Sequence, residues 1–199
     1  MYNPNQGSGW TGRQFEEYVF GLTRENPKSK VFRDLYKKAE ENDGYLSYDE
    51  SLKFAKEVQV GDPTDPESAI ANDIHATVVD FLSKEKMLED DEYGEVKFYS
   101  SLHTPLDYCH KVDGFIQYGD TIITMDATLN KNKDTYAADL IIREIPDSKF
   151  EKEEYLKYIK TIADKIVDKI KGDQVERDKM LKEQNEITKV PLEFKQLNK

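Results

Sequence analysis

The stretch HKVDGFIQYGDTIITMDATLNK, residues 110–131, decides how the rest of the chain is read. Its apolar residues are β-branched or aromatic and alternate with polar ones, which is the period of a strand and not of a helix. The QYGDT segment carries turn chemistry, so two strands meet through a tight hairpin. Asp113 opens the first strand and Asp126 ends the second. Antiparallel pairing can then set the two carboxylates face to face on neighbouring strands. Two carboxylates and a strand carbonyl make a hard oxygen site suited to Mg²⁺ or Mn²⁺. Such a site can activate water and neutralise charge on a phosphodiester.

Working outward, the period changes on both sides. Upstream, VKFYSSL (96–102) reads as another strand, and downstream ADLIIREI (138–145) as a fourth. Before them lie four helical segments. Thr11 can cap the first, with Phe15, Tyr18, Val19 and Leu22 on its apolar face. The second runs near 29–40 on Val31, Phe32, Leu35 and Tyr36, and the third from Asp49 to Val58 on Leu52, Phe54, Ala55 and Val58. The fourth starts at Asp65 as cap with Pro66 in the first turn, and reaches Met87 on Ile70, Ile74, Val78, Phe81 and Leu82. From Phe150 the helical period returns through Tyr155, Ile159, Ile162, Ile166 and Ile170, and a separate charged helix is expected over Gln174–Thr188. Helices, about four strands, then helices make an α+β pattern: a helical region at 1–62, then at 63–199 a small mixed sheet flanked by helices.

The bulk numbers narrow the partners. Of 199 residues 35% are charged and 37% hydrophobic, and the formal net charge is −11. A chain this acidic repels nucleic acid at long range, so binding it requires a local basic patch or a bridging cation. LNKNK (129–133) and the Lys-rich face of 150–171 offer such residues, although the latter also carries Glu and Asp at the spacing of a self-paired, solvated surface. The single cysteine, Cys109, excludes an internal disulfide and suits a reducing, cytoplasmic compartment, or a protein made there and packaged in a virion. It reads as a small hydrophobe. No apolar run is long enough to span a bilayer, and the first twenty residues lack a signal-peptide pattern. Gly-rich phosphate loops, nucleophile elbows and zinc spacings are missing.

AEENDGYLSYDE (39–50), between two helical flanks, resembles an EF-hand over residues 31–58. With Gly44 at the sixth loop position, Glu41, Asp43, Ser47 and Glu50 fall on ligand positions, which makes a calcium-binding module one reading of the chain. Ala39 occupies the first ligand position and has no oxygen to offer, which argues against Ca²⁺. The bland reading is a helical hairpin in which Gly44 supplies a positive φ.

The core stretch resembles the PD-(D/E)xK, restriction-endonuclease-like nucleases over residues 65–172. VDGFI matches the Asp that starts one strand, and TMDAT matches the position of the D/E-x-K triplet that ends the next. The resemblance implies that Asp113 and Asp126 hold Mg²⁺ or Mn²⁺, and that an upstream helix supplies a further acid. Asp73 is the first choice for that acid, and Glu16 a more distant one. Thr128 replaces the family's Lys, which positions the attacking water; Lys131 or Lys133 can stand in, since that Lys is known to relocate within the family. Asp107 is an alternative first acid, with His103 and His110 near it; His75 reads as a surface or half-buried helix residue.

The expected function is therefore a metal-dependent nucleic-acid phosphodiesterase, active or degenerate. The alternative is a non-catalytic structural or interaction protein, such as a phage-type accessory or virion component, on the same scaffold.

Overall fold

The computed structural model describes residues 11–89, 92–130 and 137–188. Four strands form one sheet in sequence order: β1 (Val96–Ser100), β2 (Gly114–Tyr118), β3 (Thr121–Ala127) and β4 (Leu140–Ile142). β1–β2 and β2–β3 are antiparallel, and β3–β4 is parallel. The α+β expectation holds, with a mixed sheet.

Among the described residues six α-helices surround it: α1 (Gly12–Phe20), α2 (Lys30–Glu41), α3 (Tyr48–Glu57), α4 (Ala69–Lys84), α5 (Pro105–His110) and α6 (Lys152–Thr188). Thr11 and Gln14 form a reciprocal capping box at the start of α1, and Gly21 ends it at φ 78°. Because side chains alternate along a strand, the sheet buries both faces. Ile116, Met125, Ala127 and Ile142 pack with α4 and α6 through Ile74, Val78, Ile159, Ile166 and Ile170. Tyr99 and Phe115 stack on the opposite face, centroids 4.9 Å apart, and meet Leu52 and Ala55 of α3 and Leu106 of α5. The α2–α3 hairpin closes a third cluster on Phe32, Leu46, Phe54 and Val58.

Several sequence expectations are corrected. α4 is capped by Ser68, whose hydroxyl faces the Ala71 N–H; Asp65 instead forms a turn with Asp62 and accepts the Asn72 amide at 2.7 Å. α6 runs unbroken where two helices were expected, because Gly172 falls inside a segment whose charged residues favour continued helix. The strand expected from His110 begins only at Gly114; α5 occupies the residues before it, started by Thr104 as cap and Pro105 at the first position. Tyr18, Leu22, Val31 and Tyr36, expected on buried faces, are exposed.

Gly114 positions α1. A Cβ there would lie 2.4 Å from Phe20 Cδ1, 2.7 Å from Phe20 Cε1 and 3.0 Å from the Tyr99 carbonyl. Only a residue without a side chain lets the Phe20 ring rest on the strand. That contact seats α1, with Glu16 and Glu17, over the start of β2.

Candidate functional site

Asp113 lies one residue before β2, and Asp126 is the penultimate residue of β3, just beyond the last ladder pair Gly114↔Met125. The Asp113 N–H donates to the Met125 carbonyl at 2.9 Å, and its own carbonyl accepts the Ser101 N–H at 2.9 Å. Backbone pairing on two sides thus fixes the residue. Its Oδ2 accepts the Ala127 N–H at 2.8 Å, so the side chain takes over as acceptor where the ladder ends. Both aspartates are only 5% exposed.

Burial is what chiefly pushes the Asp113 carboxyl up, to about 8. The Ala127 N–H opposes that rise, while the Asp126 and Glu16 charges add to it. The sequence-predicted pair is therefore brought together: beside Asp126, the Asp113 carboxyl holds its proton near neutral pH.

Asp73, the first choice for a third acid, is exposed on α4 and accepts the Tyr155 hydroxyl at 2.5 Å; burial and that contact raise the Tyr155 pKa. The acid whose charge reaches Asp113, besides Asp126, is Glu16 on α1. Among the described residues no three His, Cys, Asp or Glu side chains are placed to hold a metal ion together, so neither Asp73 nor Glu16 completes such a set with Asp113 and Asp126. The Thr128 N–H donates to Ile142 at 3.0 Å, and its hydroxyl accepts the Asn130 N–H at 3.1 Å. Lys131 and Lys133 lie outside the described residues.

Asp107, on α5, is raised by burial, which the His103 N–H at 2.9 Å partly offsets; Asp126 also raises it. Sequence reasoning named Asp107 and His103 but missed α5, which carries Asp107 and starts two residues after His103, and missed Arg13, whose Nη2 lies 3.2 Å from His103 Nε2. The Thr104-Pro105 pair was the available signal, a cap followed by proline at the first helical position. His110, at the end of α5, bonds the Leu46 carbonyl at 3.0 Å and lies between Tyr45 and Tyr48. Cys109 is exposed, contrary to its reading as a hydrophobe. His75 is buried, not on the surface: its Nε2 is 2.9 Å from the Val96 carbonyl, and burial depresses its pKa.

The EF-like segment is a helical hairpin. Asp43 (φ 52°) and Gly44 (φ 86°) make the turn. Glu50 accepts the Ser47 hydroxyl at 2.9 Å and pairs with Lys38 at 2.5 Å, and Glu41 faces Lys37 at 3.7 Å. The carboxylates expected to face a calcium ion are thus engaged with a helix start and with lysines.

Compared with protein-family models, curated proteins and solved structures, the chain matches none. No helix among the described residues is long and apolar enough to cross a membrane.

Proposed function

We propose that this protein is a metal-dependent nucleic-acid phosphodiesterase on a restriction-endonuclease-like scaffold. Asp113 and Asp126 would hold Mg²⁺ or Mn²⁺. The observation that carries this reading is the buried carboxyl pair at adjacent strand ends, with Glu16 near enough for its charge to raise Asp113 further. Two buried like charges are unfavourable, and a proton is a weak substitute for a divalent cation. The donor set is all oxygen, as Mg²⁺ and Mn²⁺ prefer, and Mg²⁺ commonly takes only one or two protein carboxylates beside water and substrate oxygens. When bound, the ion would supply Lewis acidity toward a phosphodiester and a more acidic water.

The chain's own residues do the rest. The Ala127 N–H and two ladder bonds hold Asp113 in place, and burial keeps bulk water from screening the pair. Thr128, with Lys131 following, occupies the positions from which the resemblance expects a water-orienting cation.

The test is cleavage of plasmid, single-stranded DNA and RNA with Mg²⁺ or Mn²⁺. Asp113→Asn and Asp126→Asn should each abolish cleavage, and Mn²⁺ should raise the melting temperature of the wild type but not of either variant. Cleavage untouched by both substitutions sinks the assignment.

One observation favours a second reading, a non-catalytic structural or interaction component of phage-accessory or virion type. The Asp113 carboxylate already extends the ladder by accepting the Ala127 N–H, a role that needs no chemistry. Under that reading Mn²⁺ leaves the melting temperature unchanged and no nucleic acid is cut.

A further inference from the structure

The acid pair creates a problem that its own residues do not solve. A chain of net charge −11 with two buried carboxylates at its site repels the phosphate it must receive. Cationic groups at the rim have to offset that repulsion. We propose that Arg13 and His103 are the phosphate-gripping arm of this site, contacting a nucleic-acid backbone phosphate beside Asp113 and Asp126. The inference deepens the nuclease reading and rests on it for the location of the reacting phosphate.

Geometry carries the assignment. Arg13 Nη2 lies 3.2 Å from His103 Nε2, although ninety residues separate the two in sequence. Glu17 accepts the Arg13 Nε–H at 2.9 Å and stands 3.4 Å from the same imidazole nitrogen. His103 therefore faces a donor and an acceptor at once. A neutral ring accepts from Arg13; an imidazolium donates to Glu17. The Arg13 side chain is 68% exposed and that of His103 28%, so an incoming phosphate oxygen reaches both. A guanidinium held through Nε by Glu17 presents its remaining donors in the planar fork that suits phosphate.

The arm also borders the acid pair. Its two helices are those that bear on the aspartates. On α1, Glu16 adjoins Glu17 and its charge reaches Asp113. On α5, Asp107 holds the His103 N–H at 2.9 Å and feels Asp126. His103 sits at φ 62°, a conformation costly for a non-glycine residue, and the Asp107 bond together with Tyr108 Oη at 3.4 Å from Nδ1 holds it there. Arg13 and Glu17 from α1, and Asp107 and Tyr108 from α5, are the charged and titratable groups that face the ring.

The experiment is fluorescence anisotropy of a labelled single-stranded DNA oligonucleotide in EDTA, with wild type and the double variant Arg13→Ala/His103→Gln. The double variant should bind at least ~10-fold more weakly and show a shallower dependence on salt. An unchanged circular dichroism spectrum verifies the fold. Equal binding by wild type and variant, or no binding by wild type, overturns the arm. Failure of the underlying reading looks different: binding that depends on Arg13 and His103 without any Mn²⁺-dependent cleavage removes the nuclease and keeps the arm. Cleavage with an unchanged kcat/KM in the double variant removes the arm and keeps the nuclease.

Discussion

Two Asp-Gly pairs, Asp43-Gly44 and Asp113-Gly114, look alike in sequence and are used in opposite ways. Gly44 sits at φ 86° with nothing within 4 Å of where a Cβ would be. Its need is conformational: the hairpin must turn through the left-handed region. Gly114 has no positive φ, and its need is space, because the Phe20 ring occupies the position of a side chain. The aspartates differ in the same sense. Asp43 is exposed at a loop tip, and Asp113 is buried beside a second carboxylate. A short motif reports on chemistry only after burial has been assigned, since desolvation turns an ordinary carboxylate into one that holds its proton near neutral pH.

That contrast is open to attack, beginning with the glycines. Gly114→Ala should cost about 3 kcal/mol or more, because both the Phe20 ring and the Tyr99 backbone must shift to admit a methyl group. Urea unfolding measures it, and a loss below ~1 kcal/mol would mean that α1 is not seated as described.

The next effect is the pH dependence. The folded-state pKa of Asp113 is raised from 3.8 to about 8, so the folded protein holds a proton that the unfolded chain releases. Stability from this group is complete below the unfolded value and is lost as pH rises toward the folded one. Wild type should therefore lose stability progressively between about pH 4 and pH 8, and Asp113→Asn, which keeps an acceptor for Ala127, should flatten that slope. An equal slope in both proteins breaks the claim that Asp113 holds a proton in the folded state.

Gly44→Ala is milder. It places an ordinary residue in the left-handed region with open space around it, and should cost about 1 kcal/mol in the same urea assay. A cost as large as that of Gly114→Ala would erase the distinction between the two pairs. Calcium gives the smallest effect: titration calorimetry at millimolar Ca²⁺ should show no heat from the hairpin, since Ala39 has no side-chain oxygen and Glu50 is taken by Lys38 and Ser47.

Part of the site was readable before any coordinates. Asp113 and Asp126 were legible because strand period and a tight turn constrain which residues meet across a hairpin, and that constraint is local. That Glu16 is the helix acid whose charge reaches Asp113 was not legible, because sequence order does not say which helix crosses the strand ends. The deciding contact is Phe20 on Gly114, between residues far apart in the chain. α5 was hidden in the segment between two expected strands, and its six residues are too few to show a period. The Arg13–His103 contact had no signal at all, since neither residue belongs to a pattern.

Local rules thus settled the α+β order, the hairpin, the meeting of Asp113 and Asp126 at adjacent strand ends and the missing calcium ligand at Ala39. Each follows from side-chain period, turn chemistry or the oxygen inventory of neighbouring residues. Long-range packing decided the rest: which face each helix covers, that α6 runs unbroken, that Asp73 is tied to Tyr155, and that Glu16, Glu17, Arg13 and His103 gather beside the aspartates. These outcomes depend on burying apolar surface among distant segments, and that is a property of the assembled fold, beyond the reach of any short window of sequence.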